Sequence, residues 1–190
     1  MTRADGSDMW IDAGLRELGR SGIEGVRVEV LAEGLGITKG GFYRRFKDRR
    51  ALLEAMLETW TRGRIAAVQE HAARGGTDPR DRIESIIRIY SKRVNPEGIG
   101  IELAIRQWGR SDTAAAAAIR SVDAARVKVA EKIYREMGLT AKKARARAVL
   151  LYSFAFGQGL ILLEQTPQER AGLIAACAEV LIEFSSRPDR

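Results

Sequence analysis

The chain has 190 residues, and its 45% hydrophobic and 30% charged content supports a buried core and excludes wholesale disorder. A single cysteine, Cys177, excludes an internal disulfide and a cysteine-rich zinc site, and its apolar surroundings favour a buried, inert thiol. The net charge of +7 favours a polyanionic partner, while the lack of a bilayer-length apolar run and of a secretion signal predicts a soluble, cytoplasmic protein.

The spacing of apolar residues is helical along almost the whole chain, and the alternation typical of strands is nearly absent. We therefore expect an all-α fold whose first helices lie at about residues 7–20, 28–35, 38–45 and 48–73. Gly22 and Gly36 follow the first two helices and are expected to end them, because glycine adopts the left-handed conformation found at helix C-termini. Thr38 and Asp48 are expected to cap the third and fourth helices.

The second half of the chain predicts five more helices, separated by turn-like segments. They lie at roughly 79–93, 98–109, 113–137, 141–164 and 168–185, which makes about nine helices in all. The clearest break between the two groups is the stretch "HAARGGTDPRD". The last two helices are apolar around much of their circumference, so they are expected either to be buried against a second subunit or to form the centre of their own domain.

The segment "VRVEVLAEGLGITKGGFYRRF" predicts a helix-turn-helix, with a tight turn at Gly36 and a short second helix. Phe42 and Phe46 lie four residues apart and are expected to anchor that second helix. Lys39 and Tyr43 are also four apart, on a different face, where they suit contacts with phosphates. This pattern favours DNA binding.

The region from residue 37 to residue 50 carries six cations and one acid, a local net charge of +5. One interpretation of this run is a solvated face without a binding role. Arg49 and Arg50 oppose the dipole at the start of the fourth helix, which favours a phosphate partner. Gly40 and Gly41 each disfavour a helix by about 1 kcal/mol relative to alanine. Their bare backbone is expected to let the helix approach DNA closely.

Residues 9–57 resemble the DNA-binding domain of the tetracycline-repressor (TetR) family of bacterial transcription regulators. The matching positions are Leu31-Ala32, Gly36-Ile37-Thr38, Gly40-Gly41, Phe42-Tyr43, Phe46 and Arg49-Arg50-Ala51-Leu52. The resemblance implies a helix-turn-helix DNA-binding domain at residues 1–50 and an effector-binding and dimerisation domain at residues 51–190. The fourth helix, at about 48–73, would link the two.

The same resemblance implies roles in DNA binding. Thr38 and Tyr43 would contact the backbone, Lys39 a phosphate or a base edge, and Arg49 a phosphate; Arg44 is placed to read guanine. The full expected DNA-binding set is Arg27, Thr38, Lys39, Gly40, Gly41, Tyr43, Arg44, Lys47 and Arg49. Arg27 stands where the family often has threonine.

Glu29 departs from the family pattern, because its position commonly holds a polar or basic reader of bases. Two interpretations of Glu29 stay open. It is either a solvated acid favoured by the helix dipole or an acceptor for a cytosine amino group.

For the C-terminal half, the resemblance implies a homodimer built by the last two helices and a site for a small molecule. The expected dimer interface comprises Leu151, Phe154, Gly157, Leu160, Ile161, Ile174, Cys177 and Leu181. The expected ligand contacts are Trp60, Tyr90, Trp108 and Phe154, with Glu102, Arg106 and Gln107 as polar groups. The aromatic residues can equally be core, and the charged residues can equally form an interhelical salt-bridge set.

The resulting hypothesis is a homodimeric regulator, a repressor that leaves a near-palindromic operator when a small molecule binds. The alternative is a DNA-binding dimer without a small-molecule effector. An enzyme is disfavoured, since the only histidine, His71, lies far from Cys177, and no metal-binding motif or phosphate-binding loop is present. We expect no cofactor and no metal, and we expect His71 at the surface.

Overall fold

The fold is all-α in the described part of the chain, as expected. A computed structural model describes residues 6–74, 76–91, 96–158, 160–161 and 163–183. Within these residues lie nine α-helices and one 3₁₀ turn, Ile23–Gly25, and no strand. The helices are α1 (Gly6–Ser21), α2 (Val28–Leu35), α3 (Lys39–Tyr43), α4 (Arg49–Arg74), α5 (Pro79–Ser91), α6 (Pro96–Trp108), α7 (Thr113–Glu136), α8 (Ala141–Gly157) and α9 (Pro167–Ile182).

The chain divides into two compact units. The first comprises Met1–Ile65 and Asn95–Asp123, and the second comprises Ala66–Val94 and Ala124–Arg190. The predicted division at residue 50 therefore falls inside the first unit. The physical reason is that α6 packs closely on α1, since a Cβ on Gly100 would lie 3.3 Å from the carbonyl oxygen of Gly19. Glycine at both positions lets the two backbones approach.

The core of the first unit joins α1, α2, α3 and α4 to α6 and the start of α7. The predicted apolar stripe of α4 is buried there, as its members Leu52, Leu53, Met56, Leu57 and Trp60 are all in the core. Gly14 of α1 lies against the Met56 side chain, where an added Cβ would come within 2.7 Å of the sulfur atom. The long side chains of α4 thus hold α1 in place.

The core of the second unit is formed by α5, α7, α8 and α9. The hydroxyl of Tyr134 donates to the carbonyl oxygen of Leu181 at 3.2 Å, and burial raises the pKa of Tyr134 to about 12. Arg147 of α8 donates to the carbonyl oxygens of Val180 and Leu181, at 2.9 and 2.7 Å, at the end of α9. A cation at a helix C-terminus is favourable, so α9 is held at its end by α8.

Some helices end earlier than predicted, and α9 ends at Ile182 rather than near residue 185. Helix α3 is shorter than the predicted 38–45, and α8 ends at Gly157 rather than near residue 164. Helix α9 begins with a capping box, in which Thr166 Oγ1 accepts from the amide of Glu169 at 3.2 Å and Glu169 Oε2 accepts from the amide of Thr166 at 2.7 Å. This box defines the start of α9, because it supplies hydrogen-bond acceptors to two amide groups that have no partner within the helix.

No helix within the described ranges is both long and apolar enough to cross a membrane.

Candidate nucleic-acid interface

The turn between α2 and α3 has the geometry that the sequence predicts. Gly36 lies in the left-handed region, with φ 66° and ψ 27°, and the amide of Ile37 donates to the carbonyl oxygen of Ala32 at 3.0 Å. An L-residue with a side chain rarely adopts this backbone conformation, which explains the glycine. The turn separates α2 from the short α3, which is the order of elements that a helix-turn-helix requires.

One face of α3 is anchored by aromatic rings. Phe42 and Phe46 are both buried, and their rings stack with centroids 5.5 Å apart. Trp10 of α1 meets Phe42 edge-on. The predicted anchoring by the two phenylalanines is confirmed.

The opposite face of α3 and its flanks are open to solvent and basic. The side chain of Tyr43 is 61% exposed. The other exposed members of the predicted DNA-binding set are Arg27, Thr38, Lys39, Gly40, Arg44 and Lys47, while Gly41 is half-buried. The structure thus exposes seven of the nine predicted residues, on α3 and its flanking segments.

Glycine at positions 40 and 41 has no explanation inside the domain. A Cβ added to Gly40 would find its nearest neighbour, Thr38 Oγ1, at 3.7 Å, and one added to Gly41 would find Trp10 Cζ2 at 4.0 Å. Both are ordinary van der Waals distances. Neither residue has a positive φ. Packing and backbone conformation would therefore both accept alanine.

Thr38 stands at the N-cap position of α3 with an extended backbone, but its side chain makes no capping hydrogen bond. The capping role expected for Thr38 is therefore wrong, and its exposed hydroxyl is available to an external partner.

The cap expected at Asp48, at the start of α4, is confirmed, since its carboxylate accepts from the amide of Ala51 at 2.9 Å.

Arg49 is half-buried and points into the domain. Its guanidinium donates to the carbonyl oxygens of Val26 and Ile23, which lie in the 3₁₀ turn and the link before α2. The first residue of α4 is thereby fastened to the segment that leads into the helix-turn-helix. This contact could not be predicted from the sequence, because backbone carbonyls more than twenty positions away carry no residue signature.

Glu29 and Lys39 form an ion pair between α2 and α3, with Oε1 and Nζ 2.8 Å apart. The hydrogen bond from Lys39 is the main reason that the pKa of Glu29 lies below its usual range. The pair therefore joins Glu29, for which two interpretations were open, to Lys39, a member of the predicted DNA-binding set.

The residues predicted to bind a ligand fall into both units. Trp60 and Trp108 are in the core of the first unit, while Gln107 is exposed. Arg106 donates to both carboxylate oxygens of Asp123, at 3.0 and 2.6 Å, and lies 2.9 Å from Glu102. These charged residues therefore form the salt-bridge set that the sequence allowed. Tyr90 and Phe154 pack in the second unit.

Among the described residues, each unit forms a cavity of its own, and none of the predicted ligand residues lines either of these two. One, of about 700 Å³, lies between α5 and α9 of the second unit, and its apolar walls include Ile87, Ile174 and Ile182. The other, of about 510 Å³, lies beside α1 and α2 in the first unit.

The predicted dimer residues are only partly at the surface. Leu151 and Leu181 are buried in the core of their own unit, so their assignment to a subunit interface is corrected. Leu160 and Ile161 are exposed, and four residues are half-buried: Phe154, Gly157, Ile174 and Cys177. The sequence missed five exposed apolar residues, namely Val149, Leu150, Leu163, Leu173 and Val180.

Comparison with known proteins agrees with this geometry. Residues 11–56 match the model of the bacterial regulatory proteins of the tetR family. No curated protein matches the chain.

Several solved structures share the fold over nearly the whole chain. The fatty acid degradation regulator FadR from Bacillus halodurans is 15% identical, with all of both chains covered and a TM-score of 0.69. A member of the TetR family from Streptomyces coelicolor A3 is 22% identical, covering 93% of this chain and 98% of its own, with a TM-score of 0.64. GusR from Salmonella enterica is 14% identical over 97% and 98% of the two chains, with a TM-score of 0.67.

The family match covers α2, α3 and their turn, where the anchored helix and the basic exposed face lie. By this match, residues 11–56 form a DNA-binding domain of the kind found in the bacterial regulatory proteins of the tetR family.

Proposed function

We propose that the protein is a homodimeric repressor that binds a near-palindromic operator and releases it when a small molecule binds the C-terminal domain. The observation that carries the proposal is the exposed basic face of α3, held on its other side by Phe42 and Phe46. A rigid anchored helix with an open polar face is the arrangement that enters a major groove.

Within this face, two kinds of contact are expected. Arg27, Tyr43 and Lys47 supply cations and a phenol for phosphate oxygens, with the Thr38 hydroxyl beside them. Arg44 presents paired donors that match guanine O6 and N7. Gly40 and Gly41 keep the helix surface bare, so that the backbone comes close to the groove.

Arg49 has a different role in this proposal from the phosphate contact that the family resemblance implies. Its guanidinium is already engaged by the carbonyl oxygens of Val26 and Ile23. We assign it a positioning role, in which it holds α4 against the segment that leads into α2. It would affect DNA binding by orienting the helix-turn-helix.

The dimer is supported by a group of exposed apolar side chains on α8, α9 and the segment between them. Its members are Val149, Leu150, Leu160, Ile161, Leu163, Leu173 and Val180. Large apolar groups gathered on neighbouring elements favour burial against another molecule, and a second copy with the same surface satisfies this by two-fold symmetry. Two copies would place two recognition helices in successive major grooves, about 34 Å apart.

The effector is supported by one feature of the structure. The cavity of about 700 Å³ between α5 and α9 has the size of a small-molecule site. The alternative is a DNA-binding dimer without an effector. A compound set screened for release of labelled operator decides between them, because any specific release supports the first and uniform retention the second.

The operator itself is tested by selection from a random DNA pool with the full-length protein, followed by fluorescence anisotropy over a series of salt concentrations. The proposal expects two inverted half-sites with centres one helical turn apart, and affinity that falls with salt. Binding without sequence preference would contradict it.

A further inference from the structure

We propose that Glu29 and Lys39 act as one unit that reads a single G·C base pair in each half-site. This inference rests on the proposed function, since it concerns how the same DNA surface discriminates between sequences. It assigns Glu29 a specificity-determining role.

The position of the pair is the first argument. Lys39 is the first residue of α3, and Glu29 is the second residue of α2. In helix-turn-helix proteins the N-terminal residues of the second helix are those that reach base edges. The ion pair, with its 2.8 Å separation, therefore stands at the end of α3 that enters the groove.

The exposure of the pair is the second argument. The side chains of Lys39 and Glu29 are 56% and 61% exposed. Water and salt screen an ion pair at such a site, so it adds little to the stability of the fold. The ion pair itself therefore does not explain by stability why an acid stands within this otherwise basic surface. A glutamate is ionised at neutral pH, and the hydrogen bond from Lys39 lowers the pKa of Glu29 further, so the negative charge is present when DNA approaches.

The chemistry of the pair is the third argument. A carboxylate only accepts hydrogen bonds, and an ammonium group only donates them. A G·C pair shows two adjacent acceptors, O6 and N7 of guanine, and one donor, the N4 amino group of cytosine. Lys39 suits the guanine acceptors and Glu29 suits the cytosine donor. An A·T pair places its donor between two acceptors and adds a methyl group, so it does not offer the same match.

The sign of the charge adds selectivity. On a sequence without a matching cytosine, the carboxylate of Glu29 stays near phosphates without a donor to compensate it. Repulsion then weakens the complex, while Arg27 and Lys47 still attract the backbone. The pair thus lowers affinity for wrong sequences as well as raising it for the right one, which is how specificity is commonly built.

The test uses the full-length protein and the duplex that the wild type selects from a random pool. Each base pair of the half-site is substituted in turn, and binding is measured by fluorescence anisotropy at fixed salt for the wild type, Glu29→Ala, Lys39→Ala and the double variant. Glu33→Ala is the matched control, because Glu33 is an exposed acid one turn further along α2 and its replacement changes the charge equally.

For the wild type, we expect one G·C pair of the half-site whose substitution weakens binding about 5- to 100-fold. Glu29→Ala and Lys39→Ala should each remove most of this discrimination at that pair alone, and the double variant should lose no more than the single ones. Glu33→Ala should keep it, although both acid replacements should raise affinity for random DNA to a similar extent.

The inference is overturned if Glu29→Ala keeps the full penalty at every G·C pair, or if Glu33→Ala changes discrimination as much as Glu29→Ala does. Failure of the proposed function is a different result, since the wild type itself would then select no sequence from the pool.

Discussion

The indole of Trp10 meets the ring of Phe42 edge-on, with the ring centroids 5.2 Å apart. Trp10 belongs to α1 and Phe42 to α3, and both side chains are almost completely buried. Edge-to-face packing at this distance is favourable and directional. The contact therefore sets how the five-residue α3 lies on the rest of the domain, and with it which residues face DNA.

Removal of the Phe42 ring tests directly whether this contact anchors α3. Phe42→Ala should lower the free energy of unfolding of the first unit by about 3–5 kcal/mol, since it removes a buried aromatic ring and leaves a cavity. Urea denaturation followed by tryptophan fluorescence measures the change. Met9→Ala is the control, because Met9 neighbours Trp10 in sequence and is exposed. Equal effects of the two substitutions would show that the ring does not anchor α3.

Alanine at position 40 or 41 should separate stability from DNA binding. Gly40→Ala and Gly41→Ala should each raise the free energy of unfolding by up to about 1 kcal/mol, since alanine favours a helix and the space is open. Both should weaken operator binding, because a methyl group would lie between α3 and the groove. Gly34→Ala, at an exposed glycine of α2, should leave binding unchanged. Unchanged affinity in all three variants would remove the close-approach role.

Arg49→Lys tests the positioning role of Arg49. Lysine keeps the charge but lacks the forked donors that reach the carbonyl oxygens of Val26 and Ile23, so the free energy of unfolding should fall by about 1.5–3 kcal/mol. The dependence of operator binding on salt should stay as steep as in the wild type. Lys47→Ala, which removes an exposed cation, should instead reduce the salt slope by about 1.

Two results would contradict this role for Arg49. One is full stability of Arg49→Lys in urea denaturation. The other is a salt slope for Arg49→Ala that is reduced as much as that of Lys47→Ala, which would restore the direct phosphate contact.

Charge placed on the exposed apolar surface should separate the subunits. Leu150→Glu and Val180→Glu introduce a carboxylate at positions that a second copy would bury, where an unpaired charge is strongly unfavourable. Sedimentation velocity should show a monomer at concentrations where the wild type is a dimer. Ile89→Glu is the control, because Ile89 is an exposed apolar residue on α5 outside this surface. A dimer that persists in both interface variants would place the contact elsewhere.

The helix-turn-helix could be predicted from the sequence because each of its parts needs a particular residue type. The left-handed turn needs glycine at position 36, and the short helix needs apolar anchors four residues apart, at Phe42 and Phe46. Such local requirements leave a pattern in a single sequence. The ends of α2 and the cap at Asp48 follow from the same kind of signal.

The features that sequence did not predict depend on contacts between distant segments. The partners of Arg49 are carbonyl oxygens, which every residue possesses. Helix α8 is apolar on several sides, so its sequence does not say that Leu150 faces solvent and Leu151 the core. The ion pair between Glu29 and Lys39 joins two helices whose angle is fixed by the turn. In each case the missing information is the packing of the elements.

We expect two α3 helices of one dimer to occupy successive grooves of the operator. Changing the spacing between the half-sites tests this expectation most directly. Anisotropy titrations should compare the selected operator with one in which half a helical turn, about 5 base pairs, is inserted at its centre. The operator with the insertion should bind no better than a duplex with a single half-site, because the second site has turned to the opposite face of the DNA. Equal affinity for the two operators would contradict it.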